Sequence, residues 1–374
     1  MAIELSNLTF TDQDDIVPQS GEEEIVNTGF ANTLAGNDVI TGTGASGLKN
    51  LAIFSTDDGD DTITGNGSIN GIITGYGSVL DTGKGNDVIT GTAIINGLVN
   101  LGTFNTSDGN DVITGTGDYG FDNVGSLNTD DGNDTITGIG TIDGFVNVGT
   151  LNTGKGNDII IGIGSSGIDN DGTINTGNDE DSIISQGKFN NYGVVFLEDG
   201  NDSIIADADL SNRAIENFNA IDTGEGDDTI TSTGVIYNEG IINTGNGNDS
   251  IIVDGITGTG YGIYNNGGAI ITGEGNDSII ANGGFESAPN SSGAWFLGEG
   301  EDYIKGFGSG DFYGGNGNDT LELTPGTYTV GIWDRVVFAK GNSLMLASEF
   351  EQLIAGDQTY DFASLTAGQI IVVA

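Results

Sequence analysis

The residues best suited to chemistry in this sequence are aspartates that recur in short glycine-rich turns. The turns read Gly-x-Gly-Asn-Asp-x-Ile, as in Gly83 to Ile89 and Gly245 to Ile251. Hard cations such as Ca²⁺ take about six to eight oxygen ligands from carboxylates and backbone carbonyls. Glycine lets the backbone curl so that successive carbonyls converge on one point, and the Asp supplies charge. These turns therefore indicate cation binding.

The Asp of this turn recurs fourteen times, at intervals of 17 to 28 residues. Asn, Asp or Glu always precedes it, and Ile, Val or Leu stands two residues after it. The fourteen positions are Asp15, Asp38, Asp61, Asp87, Asp111, Asp134, Asp158, Asp181, Asp202, Asp228, Asp249, Asp277, Asp302 and Asp319. A period of about two dozen residues is typical of a solenoid, in which equivalent turns stack along one edge.

Composition excludes many other kinds of chemistry. The 374 residues include 8 basic and 55 acidic side chains, for a net charge of −47, and no His or Cys. A Ser-His-Asp triad, a Cys nucleophile and a His-ligated zinc site are therefore excluded. The charge repels nucleic acid and anionic lipid, so the expected partners are cations, basic proteins or neutral glycans. No apolar run approaches the roughly 18 residues of a membrane span.

Other columns of the repeat predict the elements that position the turns. An Asn lies eleven or twelve residues before most repeat Asp residues, as at Asn100 and Asn123, and apolar residues lie two before and four after it. Short alternating segments separated by Gly, Asn and Thr indicate strands and tight turns. We predict an all-β fold, a parallel β-solenoid (β-helix or β-roll-like) of about 13 coils with a small β cap at the C-terminus. The Asn column forms either an amide ladder or left-handed corners.

Two interpretations of the acidic turn remain open from spacing alone, a cation site or a metal-free type I turn, which Asn, Asp and Gly also favour. Stacking one carboxylate roughly every 5 Å would be strongly repulsive without counter-ions, which favours calcium. Acids three residues before the repeat Asp, such as Asp108 and Glu274, are either ligands or a solvated stripe. Lys84 and Lys155 occupy the same column, which favours the stripe.

One turn resembles a known family. Gly314-Gly315-Asn316-Gly317-Asn318-Asp319-Thr320-Leu321-Glu322 matches the calcium-binding nonapeptide of repeats-in-toxin (RTX, haemolysin-type) proteins. The resemblance covers residues 12 to 322 as a divergent solenoid with one turn per coil, and it implies multiple Ca²⁺ ions held by Asp carboxylates and turn carbonyls. Asp15 and Asp181 are the weakest candidates of the fourteen. The implied metal ligands are Asp38, Asp61, Asp87, Asp111, Asp134, Asp158, Asp202, Asp228, Asp249, Asp277, Asp302, Asp311 and Asp319.

The pattern changes towards both ends of the chain. We predict an N-terminal cap strand in residues 1–14, calcium-binding repeats in 15–322 and a C-terminal β cap in 323–374. The last stretch, with the apolar run from Ile370 to Val373, resembles the uncleaved export signal of RTX proteins that use one-step (type I) secretion. Met1 to Phe10 lack the basic and apolar regions of a cleaved signal. Both features predict a secreted protein that folds when it meets extracellular calcium.

Several functions fit this organisation. The favoured one is a non-enzymatic structural protein of the cell surface or matrix: a surface-layer, filament or adhesin subunit that forms homo-oligomers or filaments. The alternative is a polysaccharide-active or glycan-binding β-helix that uses carboxylates on a solenoid face. Its candidate regions are the insertions at 203–216, with Arg213 and Glu216, and at 250–264, with Tyr261 and Tyr264. Cell-surface glycans are accordingly candidate partners. The pair of Arg213 and Glu216 is most simply a surface ion pair.

Overall fold

The structure, a computed structural model, describes residues 2–18, 23–208, 213–254, 261–287 and 293–374. The chain divides into two compact units, residues 1–197 and 198–374. Almost every regular element in the described ranges is a β-strand; the exceptions are two short 3₁₀ helices, Leu5–Asn7 and Phe362–Ser364. Parts of the two predicted insertions, residues 209–212 and 255–260, lie outside the described residues.

In the first unit, one parallel sheet is built from the segments that follow each repeat Asp. Along Val39–Asn50, Ile40 and Leu48 are buried while their neighbours face outwards, as the alternating pattern predicts. We call this the first sheet. Its strands are Ala2–Glu4, Ile16–Val17, Glu24–Asn27, Val39–Asn50, Thr62–Thr74, Val88–Thr92, Asn96–Asn100, Val112–Asn123, Thr135–Asn147, Ile159–Asn170 and Ser182–Asn191.

A second parallel sheet faces the first and consists of three-residue strands, one per coil. In each strand the middle residue is apolar and buried, as Phe54, Phe104 and Leu127 are. The eight strands in the described part of this unit are Phe30–Asn32, Ile53–Ser55, Val79–Asp81, Thr103–Asn105, Ser126–Asn128, Thr150–Asn152, Thr173–Asn175 and Val194–Phe196. Stacking brings like residues into register, for example Phe104 with Leu127, so the apolar columns form one narrow core.

The second unit repeats this plan. Its first-sheet strands are Ser203–Ala206, Arg213–Asn217, Thr229–Ser232, Val235–Asn238, Ser250–Val253, Ile263–Asn265, Ser278–Ala281, Phe285–Glu286, Tyr303–Lys305, Thr320–Leu323, Gln352–Ala355 and Gln358–Asp361. Its second-sheet coil strands are Ala220–Asp222, Ile241–Asn243, Ala269–Ile271, Ala294–Gly300 and Gly310–Gly317. Parallel pairing again aligns like residues, as with Ile251 and Ile279.

The C-terminal segment of the second unit introduces antiparallel pairing. Gly326–Ile332 pairs antiparallel with Val336–Lys340 and with Ile370–Val373. Val336–Lys340 also pairs antiparallel with Ser343–Ser348, which in turn lies parallel to Gly310–Gly317. The alternating segments and the turn at Gly341 predicted from the sequence are therefore present as a β-meander, which continues the second sheet beyond the last coil.

The structure confirms the predicted fold class, a parallel β-solenoid. It also decides between the two interpretations of the Asn column. The Nδ2 of Asn100 donates to Asn123 Oδ1 at 2.8 Å, and the same contact joins Asn123 to Asn147. All of these side chains are buried. We call this column the asparagine ladder.

One detail of the asparagine ladder differs from the sequence interpretation. In the copy between Asp61 and Asp87, which has no Asn, Thr74 and not Gly75 occupies the ladder position, in register with Asn50 and Asn100. Thr74 has no amide with which to continue the ladder, and its buried hydroxyl makes no hydrogen bond. The neighbouring Asn50 instead donates to the backbone oxygen of Val79 at 2.7 Å.

Candidate metal centre

The repeat aspartates lie at the corner where each second-sheet strand turns back into the first sheet. Their side chains do not extend into solvent: thirteen of the fourteen, all except Asp15, are only 0 to 1% exposed. They form a buried column in each unit, which we call the aspartate seam. The inward direction follows from strand alternation, because the Asp precedes by two residues an aliphatic side chain that also points into the core.

Each aspartate is tied to the next coil through one carboxylate oxygen. In the first unit, the backbone N–H of Asp38 donates to Asp61 Oδ1 at 2.7 Å, and that of Asp61 donates to Asp87 Oδ1 at 2.8 Å. The pattern recurs from Asp15 to Asp181. In the second unit it runs from Asp202 to Asp319 at 2.8 to 3.0 Å.

The other carboxylate oxygen, Oδ2, has no hydrogen-bond donor at most of these positions. A buried carboxylate oxygen without a donor is costly, because burial removes the water that would stabilise its charge. Among the described residues this holds for Asp38, Asp61, Asp87, Asp111, Asp134, Asp158, Asp249, Asp277, Asp302 and Asp319. The seam thus presents a row of oxygens that need a proton or a cation.

A threonine five residues before the Asp is the nearest alternative donor, but its single proton has a competing acceptor. The hydroxyl of Thr56 donates to the Thr82 carbonyl at 2.9 Å, and Thr153 does the same towards Thr176. In the second unit, Thr223 Oγ1 lies 2.5 Å from Asp228 Oδ2 and 3.1 Å from the Thr244 carbonyl. A hydroxyl can satisfy only one of these acceptors at a time.

The electrostatic consequence is a row of carboxyl groups that resist ionisation. Burial raises the pKa of Asp134 to about 8 and the pKa values of Asp61 and Asp87 to about 7. The same desolvation raises the pKa of Asp111 to about 6 and that of Asp277 to about 7. Hydrogen bonds from Thr and backbone N–H groups oppose this effect without cancelling it.

A second, exposed ladder lies beside the aspartate seam and was not predicted from the sequence. The residue preceding each repeat Asp accepts a hydrogen bond from the backbone N–H of its counterpart in the next coil, as Asn110 Oδ1 does from Asn133 N at 2.7 Å. Asp227 accepts in this way from Asn248, also at 2.7 Å. The signal was the strict Asn, Asp or Glu at this position. Its donors point opposite to those of the aspartate seam, so each turn is joined to both neighbours.

Close backbone approach explains the glycine two residues before most repeat aspartates. Gly85 has φ of +143°, and a Cβ added to it would lie 1.9 Å from the carbonyl oxygen of Gly59. Four residues before the Asp the backbone is left-handed even where glycine is replaced, as at Asp57 (φ 58°), Ser107 (φ 63°) and Glu198 (φ 74°). The turn geometry therefore persists in copies that depart from the motif.

The donor set of the seam fits calcium in kind. It offers carboxylate and backbone carbonyl oxygens, the ligands that Ca²⁺ prefers, and its buried Oδ2 atoms lack donors. In the described ranges no group of three or more acidic side chains converges as a metal site. A cation in the seam would therefore take one or two Asp carboxylates and complete its coordination with backbone carbonyls.

The acidic stripe three residues before the repeat Asp faces solvent. Lys84 lies 2.5 Å from Asp108, and Lys155 lies 3.1 Å from Asp131, with all four side chains more than half exposed. In the second unit, Asp199, Glu225 and Asn246 are neighbours along the stripe. These contacts support the interpretation of the stripe as a solvated face.

Three candidate aspartates depart from the common pattern or were weaker predictions. The Oδ2 of Asp15 accepts the backbone N–H of Thr11 at 2.8 Å, outside the seam. Asp181 is part of the seam and accepts the N–H of Asp158 at 2.8 Å. Asp311 lies on the strand Gly310–Gly317 and forms an ion pair with Arg335 at 2.7 Å. Whether any of the candidates binds metal stays a prediction.

The rival site around the two insertions is an aromatic stack. Arg213 pairs with Glu216 at 2.9 Å and lies 3.5 Å above the ring centroid of Tyr237. The other neighbour of Tyr237 is Tyr264, whose ring lies nearly parallel at 5.3 Å, and Tyr261 packs against Tyr264 at 5.6 Å. These contacts occupy the ring face of Tyr237 that a sugar would need.

The seam of the second unit ends on a residue that sequence reasoning missed. The backbone N–H of Asp319 donates to Glu351 Oε2 at 2.8 Å, as the N–H of each seam Asp does to the following Asp. The next residues are in register, Thr320 with Gln352 and Leu321 with Leu353. Glu351 thus occupies the seam position of one further coil. It was overlooked because it is a Glu, lies 32 residues downstream and follows the β-meander.

Comparison with known proteins gives little further information. No protein-family model and no curated protein matches the sequence, so the RTX resemblance stays a prediction. Among solved structures, the chain is similar to the X-ray crystal structure of a hyperactive, Ca²⁺-dependent, β-helical antifreeze protein from an Antarctic bacterium. The identity is 16%, with 96% of each chain covered and a TM-score of 0.44. A similarity this weak supports no statement about ligands or function. In the described ranges, no helix has the length and apolar character needed to span a membrane.

Proposed function

We propose that this chain is a secreted structural protein whose solenoid is stabilised by calcium ions bound along the aspartate seam. The observation that carries the proposal is the row of buried Oδ2 atoms that lack donors. A divalent cation between adjacent coils would offset their desolvation and their mutual repulsion, which neither the Thr hydroxyls nor the backbone N–H groups achieve.

The proposed ligands are the carboxylates of the seam together with carbonyls of the glycine turns. They are Asp38, Asp61, Asp87, Asp111, Asp134, Asp158, Asp202, Asp228, Asp249, Asp277, Asp302 and Asp319. Bound calcium would supply positive charge and accept several oxygen ligands at once. Asp311 is left out of this set because Arg335 already neutralises its charge, at 2.7 Å.

Export before folding fits this chemistry. A chain with net charge −47 is opposed to compaction while calcium is scarce, and it gains binding free energy on reaching a calcium-rich exterior. The RTX-like turn at Gly314 to Glu322 and the RTX-like C-terminal segment support secretion to the cell surface or medium. Ile370–Val373 is a strand of the terminal β-meander, so this export segment would also be part of the folded protein.

We favour a structural role, as a subunit of a surface layer, filament or adhesin, over a polysaccharide-active or glycan-binding one. The described residues are largely accounted for by stacked coils and the terminal β-meander. The aromatic cluster proposed for sugar recognition has Arg213 and Tyr264 packed on Tyr237, so it presents mainly ring edges, whereas sugars stack on ring faces.

The test is thermal unfolding at neutral pH in chelator, in millimolar calcium and in millimolar magnesium, followed by calorimetry and circular dichroism. Each site present at about 100 times its Kd adds about 2.7 kcal/mol to the free energy of unfolding. Calcium should therefore raise Tm strongly, and magnesium much less, because magnesium prefers rigid octahedral sites. An identical Tm in all three conditions would refute the calcium assignment.

A further inference from the structure

The last turn of the seam differs from the others at the residue five before the Asp. Ten copies carry a Thr there, for example Thr56 and Thr223, and their hydroxyls lie within the buried corner. Two copies carry Leu197 or Leu297, which are also buried. Before Asp319 the position is Gly314, so no side chain fills the space beside this carboxylate.

Oxygen atoms surround the space that Gly314 leaves open. An atom at the position of a Cβ on residue 314 would lie 2.0 Å from the carbonyl oxygen of Glu349 and 2.8 Å from Asp319 Oδ2. Calcium binds oxygen at about 2.3 to 2.6 Å, so a small shift from this point gives both contacts. Asp319 is fully buried, and this Oδ2 has no donor.

Glu351 supplies a second carboxylate at the same level. Its Oε2 lies 2.8 Å from the backbone N of Asp319, and the backbone N of Glu351 donates to the Asp319 carbonyl at 3.1 Å. The side chain is solvent-exposed and borders an open cavity of about 490 Å³ that Asn318 and Asp361 also line. An ion could reach the space through this opening.

We propose that the cradle formed by Gly314, Asp319, Glu349 and Glu351 is a calcium site that fastens the terminal β-meander to the last repeat. The ion would be held by Asp319 Oδ2, the Glu349 carbonyl and the Glu351 carboxylate. It would join a repeat to residues after the β-meander, where the sequence predicted no ligand. This inference rests on the proposed calcium function, and it adds that calcium controls how firmly residues 343–355 dock.

Hydrogen–deuterium exchange of the full-length protein in chelator and across a calcium titration tests the proposal. We would compare the wild type with Glu351→Gln, which keeps an acceptor for the Asp319 N–H but loses the charge. Asp357→Asn is the matched control, because it removes one charge from an exposed turn away from the cradle. Peptides covering 343–355 report the cradle, and peptides covering the repeats report the seam.

We expect calcium to slow exchange in 343–355 equally in the wild type and Asp357→Asn. In Glu351→Gln this protection should require roughly tenfold more calcium, while the repeats respond normally and exchange in chelator matches the wild type. Unchanged calcium dependence in Glu351→Gln would overturn the inference. So would faster exchange of this segment in chelator, which would mark a purely structural side chain. Repeats that ignore calcium in the wild type would instead refute the proposed function.

Discussion

The asparagine ladder and the aspartate seam are two buried columns on the same coils, built from side chains of nearly the same shape. Each Asn carries both a donor and an acceptor, so Asn123 accepts from Asn100 and donates to Asn147, both at 2.8 Å. Each Asp carries only acceptors when ionised, so the backbone satisfies Oδ1 and leaves Oδ2 without a partner. An amide column is therefore complete in itself, whereas a carboxylate column depends on solution conditions.

The first prediction uses pH to separate the two columns, and we expect it to have the largest effect because many carboxyl groups act together. Burial raises the pKa of Asp134 to about 8, that of Asp61 to about 7 and that of Asp111 to about 6. A raised pKa means that the folded state binds more protons than the unfolded state in this range. In chelator, stability is therefore greatest near pH 4 to 5 and falls as pH rises from about 6 to 8.

Calcium should reverse this trend, because protons compete with the cation for the same carboxylates. Urea unfolding at pH 5, 6.5 and 8, with chelator or with calcium, measures both slopes. A chelator slope that is flat or rises with pH would contradict the account of the aspartate seam.

The second prediction places a charge in the asparagine ladder. Asn147 donates to Asn170 Oδ1 at 2.8 Å and to the Thr173 carbonyl at 2.9 Å. Asn147→Asp turns both contacts into acceptor pairs at a fully buried position, so we expect a loss of about 3 to 5 kcal/mol in the free energy of unfolding. Calcium should not rescue it. Measurement is by chemical denaturation with and without calcium.

Asn157→Asp is the matched control for this change. Asn157 lies in the exposed outer ladder, where Asp60 and Asp227 occupy the same column. We expect the control to change stability by no more than about 0.5 kcal/mol. Equal losses in the two variants would mean that burial of the asparagine ladder is not what distinguishes it.

The third prediction converts one position of the seam into an amide. In Asp111→Asn, Oδ1 can still accept from Asp87 N, and the new amide lies beside Thr106, whose hydroxyl makes no hydrogen bond. We expect the variant to be more stable than the wild type in chelator at pH 7.5, by about 1 to 2 kcal/mol, and less stable in calcium. Asp108→Asn, in the exposed part of the same turn, should change neither value appreciably. A loss in both conditions would contradict the role assigned to the Oδ2 atoms.

The fourth and smallest effect concerns the backbone of the turn and not its charge. Ser107 adopts φ of 63°, which costs a non-glycine residue roughly 1 kcal/mol. Ser107→Gly should therefore stabilise the protein by up to about that amount, equally in chelator and calcium. Ser165→Gly, in the interior of Ile159–Asn170, should destabilise it by about 0.5 to 1 kcal/mol. Both follow from denaturation midpoints; a calcium-dependent effect at Ser107 would link the backbone to the ion.

Periodicity predicted the fold because every coil repeats the same requirements. Residues such as Ile40, Leu48 and Phe54 recur at fixed offsets and are fully buried, so the apolar columns and the amide ladder could be read directly from spacing. Thr74 shows the limit: a column defined by one residue type misplaces the copy that lacks it, whereas strand register finds the residue that occupies the position.

The candidate site was less predictable, since spacing gives the corner but not the direction of each side chain. The sequence indicated a charged seam, but not that its carboxylates are buried with one oxygen bound to the next coil. Nor could it show that the outer ladder donates in the opposite direction. Glu351 was missed for a topological reason, because only the parallel pairing of Thr320–Leu323 with Gln352–Ala355 brings it over Asp319.

The direction of the seam hydrogen bonds gives the stack a polarity that restricts how the gene can lengthen or shorten. Within a unit, a coil can be duplicated or deleted internally, because any Asp can accept from the Asp before it and donate to the one after. The two ends are not interchangeable: Asp15 takes its donor from Thr11, and Asp319 needs the acceptor of Glu351. Copy number is therefore free to vary in the interior, while the terminal turns must be inherited intact.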